Sequence, residues 1–293
     1  MRFSTIDFEK KYPSKLILLG EYAVLYGSEA LAVPNFDFYG SWQFADSTHS
    51  LLPFFTYSQQ LSERQMLFSD LQLSDFGAFL SANGAFVSNI PCGYGLGSSG
   101  TLCAAVYDAF SSVTSHDDLT LLKKQLAQLE SFFHGNSSGI DPLVSYLQQP
   151  ILFTNSEIRI APPTIMDVVF DKKIFTLLDS QQPRLAHEWI ALFHTKMTDS
   201  KFATPFAEKL VPAVSDAIHY LLQQSYEHFF RAVGNISQFQ YEYMREWIPT
   251  TLQRQWKQGL DSGDYFIKLC GAGGGGYFLM CRIPEVSSAK IGS

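Results

Sequence analysis

The chain of 293 residues is 46% hydrophobic and 17% charged, with a net charge of -7, a balance that excludes a disordered polymer and the clustered basic surface that nucleic-acid backbones require. At ~150 residues per domain the length predicts two lobes with a cleft between them. No uncharged apolar run approaches the ~20 residues of a membrane span, and residues 1–12, which include Asp7, Glu9, Lys10 and Lys11, lack a signal-peptide core, so a cytoplasmic protein without nucleic-acid or membrane partners is expected.

In chain order, residues 15–19 and 30–34 read as strands separated by Gly20 and Gly27, and residues 85–90 as a third strand closed by Pro91. The spacing of Leu102, Val106, Ala109, Phe110 and Val113 predicts a helix that starts near Ser98 or Ser99 and buries that stripe. A second helix is predicted from Leu119 to Phe133, with Leu122, Leu126, Leu129 and Phe133 on one face and Lys123 and Glu130 on another. Residues 151–154, 158–161, 166–170 and 174–178 read as short strands, the last two joined by Asp171-Lys172-Lys173. Residues 183–258 are helical in pattern, and the chain closes with strand 265–270, a glycine run and strand 277–282. A boundary near residue 160 gives two domains, 1–160 and 161–293. The four cysteines, Cys92, Cys103, Cys270 and Cys281, form no Cys-x-x-Cys pair and are expected to be reduced.

Three segments point to chemistry. Pro91-Cys92-Gly93-Tyr94-Gly95-Leu96-Gly97-Ser98-Ser99-Gly100 places glycines directly before a helix. There the backbone can approach an anion closely, and the helix start favours negative charge, so a phosphate is the natural guest. The embedded Gly95-x-Gly97-x-x-Gly100 lacks the acidic strand end of a dinucleotide site, and no Walker lysine or protein-kinase signature follows. His134-Gly135-Asn136-Ser137-Ser138-Gly139-Ile140-Asp141 delivers one carboxylate, which could orient an attacking hydroxyl; Asp141 before Pro142 also has the form of a helix cap. Residues 271–276, Gly-Ala-Gly-Gly-Gly-Gly, are too long for a tight hairpin turn. Either something approaches that backbone closely or the loop tip is flexible. Lys15, Glu21, Glu130 and Arg184 taken singly are ordinary surface charges.

Together these segments resemble the three motifs of the GHMP kinase superfamily, with motif one at Pro13-Ser14-Lys15-Leu16-Ile17-Leu18-Leu19-Gly20-Glu21-Tyr22-Ala23-Val24-Leu25 and motif three from Lys268 to Gly276. Within it the chain is most similar to the mevalonate kinases, whose pattern Glu130-Ser-Phe-Phe-His134-Gly-Asn-Ser-Ser138-Gly-Ile-Asp141 follows with its spacing intact.

The resemblance implies an α+β chain of two lobes, an N-terminal α/β lobe and a C-terminal ferredoxin-like lobe, with the active site between them. It implies ATP and Mg²⁺, and Asp141 and Lys15 as catalytic residues. Gly93, Gly95, Leu96, Gly97, Ser98, Ser99 and Gly100 would bind nucleotide, and Ser99 and Glu130 would hold the metal. Glu21, Tyr22, Ser138 and Arg184 would bind a small-molecule acceptor, mevalonate first; a homodimer is compatible. Two positions depart from the pattern: Tyr22 stands where mevalonate kinases commonly carry His, as in phosphomevalonate kinases, and Leu185-Ala186 follows Arg184 where a Thr is usual. Phosphomevalonate kinase and an inactive binding protein on the same scaffold are the alternatives, with a nicotinamide-dependent oxidoreductase a distant third.

Overall fold

The computed structural model describes residues 6–45, 51–64, 66, 71–112, 118–184 and 186–284. Val113 and Leu185, both used above, lie outside them. The elements in order are β1 (Tyr12–Leu19), β2 (Ala30–Phe44), α1 (Leu52–Glu63), α2 (Leu73–Ser81), β3 (Gly84–Ser88), α3 (Ser98–Phe110), α4 (Leu119–His134), α5 (Ile140–Leu147), β4 (Ile151–Phe153), β5 (Ile158–Ile160), α6 (Ile165–Val169), β6 (Phe175–Asp179), α7 (Ala186–Met197), α8 (Ser200–Pro205), α9 (Val211–Leu222), α10 (Tyr226–Tyr243), α11 (Thr250–Ser262), β7 (Tyr265–Leu269) and β8 (Tyr277–Arg282). They divide into two compact units, one from residues 1–16, 32–92 and 96–160, the other from 17–31, 93–95 and 161–293.

The first unit holds a five-stranded sheet in the order β1-β2-β4-β5, with β3 paired antiparallel on the outer half of β2 from Gly40↔Ser88 to Phe44↔Gly84. β2 is far longer than residues 30–34: Phe36, Phe38, Trp42 and Phe44 alternate with Asp37, Tyr39, Ser41 and Gln43, a period-two strand pattern, and β3 supplies ladder partners from Gly40 to Phe44. Trp42, fully buried, takes Phe79, Phe86 and Phe110 edge-on at ring separations of 5.2–5.9 Å; such pairs add ~0.5–1.5 kcal/mol each beyond the area they bury. α3 packs on both α4 and α5. Its small residues let it be buried from Gly100 to Tyr107, so it is a central helix and not the one-sided amphipathic helix its stripe suggests.

The second unit carries an antiparallel sheet in the order β6-β8-β7, with Leu269 opposite Phe278 at the mouth of the glycine run. α9, α10 and α11 pack together, and α10 and α11 pack on β7. One expectation is overturned: residues 166–170 are not a strand, since Met166 to Val169 lie in α6 and Phe170 caps its C-terminus. Their β-branched content favours a strand, yet Pro162 and Pro163 preset a helical first turn, and their carbonyls accept from Ile165 and Met166 at 3.2 and 2.9 Å. All four cysteines are free.

Candidate active site

The phosphate-loop candidate ends in a built helix start. Gly97 adopts φ +75, a left-handed conformation open to glycine, and no side chain caps α3. The N–H groups of its first turn therefore point outward with the positive end of the helix dipole. Leu96 is buried, and its carbonyl accepts from the Lys15 N–H at 2.9 Å, tying the loop to β1.

Lys15 is only 6% exposed. Its Nζ lies 2.6 Å from Asp141 Oδ1. Asp141 is the second residue of α5, whose N-cap is Gly139 with no side-chain capping bond. The cap reading of Asp141 thus gives way to an ion pair. The other carboxylate oxygen faces the loop, 3.1 Å from where a Cβ on Gly97 would stand. Gly100 admits α5 still more closely, since its Cβ would sit 2.7 Å from the Pro142 nitrogen. Ser98 and Ser99 open α3 above this contact.

Glu130, expected on a face away from the apolar stripe, is 4% exposed beside Leu126 and Leu129. Ser99 Oγ donates to its Oε1 at 3.0 Å and Ser137 Oγ donates to its Oε2. Burial, reinforced by the Asp141 charge and opposed by these hydroxyls and Lys15, pushes its carboxyl up to about 7. His134 Nε2 stands 3.0 Å from Ser99 Oγ. Ser138 turns inward to its own loop, accepting from the Ile140 N–H at 3.3 Å. Sequence reading gave His134 and Ser137 no role, although the four-residue step from Glu130 to His134 puts both on one helical face.

Ser99 and Glu130 supply hard oxygen donors 3.0 Å apart, a set that fits a divalent cation such as Mg²⁺. Among the described residues no group of three or more His, Cys, Asp or Glu could enclose a metal. A cation here would take its remaining ligands from phosphate and water, as Mg²⁺ commonly does.

The other predicted residues, Gly93, Gly95, Glu21, Tyr22 and Arg184, belong to the second unit. Glu21 forms a buried ion pair with Lys268, a residue the sequence reading quoted without a role; Lys268 also donates to the Leu269 carbonyl. A lysine in an apolar strand beside a glycine run was the available signal. Tyr22 is 4% exposed and stacks on Phe193 at 4.3 Å. Its hydroxyl accepts from Trp247 Nε1 at 3.0 Å and donates to the Ala272 carbonyl at 2.7 Å. Burial raises its pKa well above the ordinary tyrosine value.

The glycine run is no flexible tip. Gly273, Gly275 and Gly276 are buried, and side chains added at 273, 274, 275 and 276 would meet Trp247, Trp189, Pro183 and Tyr94 respectively. What approaches this backbone is the protein itself.

Residues 69–149 match the family model described as GHMP kinases N terminal domain. This region covers the phosphate loop, Glu130 and Asp141, and is similar to the N-terminal domain of GHMP kinases. The chain is similar to curated mevalonate kinases over part of its length. The mevalonate kinase of Pyrococcus abyssi is 28% identical over 184 residues, 54% of each chain, so the match spans about half the length of that relative. The fold agrees over nearly the whole chain. The L. major mevalonate kinase in complex with R-mevalonate superposes with a TM-score of 0.62 at 13% identity, covering 94% of this chain and 88% of that one. The Streptococcus pneumoniae phosphomevalonate kinase in complex with phosphomevalonate and AMPPNP gives 0.61 at 17% identity, covering 94% and 92%.

Proposed function

We propose that the chain is an ATP- and Mg²⁺-dependent kinase that transfers the γ-phosphoryl group to the 5-hydroxyl of mevalonate. The observation that carries this reading is the Lys15–Asp141 pair at 2.6 Å, set against the glycine of a phosphate loop whose next turn presents Ser99 to Glu130.

In this reading the residues divide the work of an in-line phosphoryl transfer. Asp141 accepts the proton of the attacking hydroxyl as the new oxygen–phosphorus bond forms and the bond to ADP breaks. The Lys15 ammonium, already beside that carboxylate, stabilises the developing alkoxide and the transferring phosphoryl. Residues 93–100 cradle the phosphates through backbone N–H groups. Ser99 and Glu130 hold the cation, which when bound neutralises charge on the phosphate oxygens. The polar atoms of Glu21 and Tyr22 are engaged within the second unit.

Phosphomevalonate is the second acceptor to weigh, because Gly20-Glu21-Tyr22-Ala23-Val24-Leu25 is similar to phosphomevalonate kinases. Only 21 Lys and Arg in the chain speak against an acceptor that carries a phosphate besides its carboxylate. ADP release with MgATP, measured with mevalonate, phosphomevalonate, homoserine and galactose, is the test. Turnover with mevalonate supports the proposal. Turnover with another acceptor alone keeps the mechanism and replaces the substrate, and silence with all four rejects the reading.

A further inference from the structure

Gly95 and Gly271 are 176 positions apart in the sequence, yet one side chain occupies the space that a side chain on either would need. A Cβ on Gly95 would overlap the Arg184 guanidinium at Nη2 and Cζ, and a Cβ on Gly271 would overlap the same group at Nη1. The planar cation therefore rests against both backbones at once. The Arg184 N–H also donates to the Gly93 carbonyl at 2.8 Å. The residues before it continue the strap: the Gly276 N–H donates to the Gln182 carbonyl at 2.8 Å, and a side chain on Gly275 would meet the Pro183 carbonyl. Burial raises the Tyr22 hydroxyl pKa while the Arg184 charge lowers it, so the guanidinium is within electrostatic reach of the group that holds Ala272.

We propose that Arg184 is a positioning residue whose guanidinium, seated on Gly95 and Gly271, fixes the first part of the phosphate loop against the second glycine segment. This rests on the kinase reading. Arginine suits the task because its fork is flat and permanently charged, so it can lie on two peptide planes where a lysine would present only a point charge. Gly271 is then glycine to admit Arg184, and Gly95, whose left-handed φ of +73 already favours glycine, admits it as well.

Gly271 offers a clean test because its φ lies outside the left-handed region, so alanine fits the backbone and the atoms it would strike end a flexible side chain. G271A should evict the guanidinium while leaving its charge in place. R184A and G271A should each lower kcat/KM for MgATP by about a hundred-fold, the scale of a ~1 Å misplacement. The acceptor KM should stay within about twofold, R184A/G271A should be no worse than the poorer single variant, and R184K should not restore activity. A rise confined to the acceptor KM would show that Arg184 binds the acceptor directly. A silent G271A beside an impaired R184A, or losses that multiply in the double variant, would equally overturn the proposal.

Inactivity of the wild type with every acceptor would reject the kinase reading. The seat itself is then read by denaturation. A stability cost of G271A that is present with Arg184 and absent in R184A supports it, and equal costs in both backgrounds overturn it.

Discussion

Asp141 keeps its carboxylate on the ammonium of a buried lysine, and that single distance of 2.6 Å determines what substitution there should do. D141N retains an oxygen to accept from Lys15 but cannot take a proton, so kcat should fall by ~10²–10⁴ while the affinity for MgATP changes little. Steady-state kinetics beside nucleotide titration checks this; near-wild-type turnover would remove Asp141 from the chemistry. Glu130 makes a prediction about pH. Its carboxyl titrates near 7 in the folded protein against an ordinary value of 4.5, because burial disfavours its charge. Between those values the folded state binds more protons than the unfolded one. The stability it contributes is therefore complete below about pH 4.5 and lost as pH rises through about 7. Denaturation midpoints of the metal-free protein, taken relative to E130Q, should decline across that window, and a flat difference would contradict the assigned burial. None of this was visible from residue type. Taken singly, Lys15, Glu21 and Glu130 read as ordinary surface charges; the motifs they stand in set them apart, and the fold buries each beside an opposite charge or hydroxyl.

At the scale of elements, the contact of α3 with α5 is the tightest constraint near the candidate site. An alanine at Gly100 would bring its Cβ to 2.7 Å from the Pro142 nitrogen and 2.8 Å from the Asp141 carbonyl carbon, both backbone atoms that cannot step aside. G100A should destabilise the protein by ~1–3 kcal/mol through overpacking, and it should also lower kcat by moving Asp141. Chemical denaturation with parallel kinetics tests both; a stable, fully active G100A would show that the helices part freely. Elements with a strong local signature were legible in sequence: α3 and α4 from their spacing, β7 and β8 from their apolar runs flanking glycines. Those set by distant partners were not. The pairing of β3 with Gly40–Phe44 of β2 is not announced by either segment, although the alternation of Phe36, Phe38, Trp42 and Phe44 marks the strand itself, while the strand-like run Ile165-Met166-Asp167-Val168-Val169 turns helical after two prolines. The length of the glycine run implies either a close neighbour or a mobile tip. The neighbours are Trp189, Trp247, Pro183 and Arg184, which no spacing rule could have supplied.

For the molecule as a whole, the proposal makes the folded state the only one that binds nucleotide. Saturating MgATP should then raise the melting temperature, with about 2.7 kcal/mol of stabilisation at a hundred times the dissociation constant, and E130Q should blunt the shift. Equal protection of wild type and E130Q would remove Glu130 from the cation site. The three glycine and charge motifs made the likeness to GHMP kinases legible from sequence because they are short, ordered and jointly specific. The acceptor was less legible, since Tyr22 departs from the mevalonate kinase pattern and its hydroxyl is occupied by Trp247 and Ala272. The most direct test of the central claim is ³¹P NMR of the purified protein with MgATP and mevalonate. The account predicts loss of the ATP γ-resonance together with a phosphomonoester signal split by the two protons of C5. A product phosphorylated at the tertiary 3-oxygen, inorganic phosphate alone, or an unchanged spectrum would contradict it.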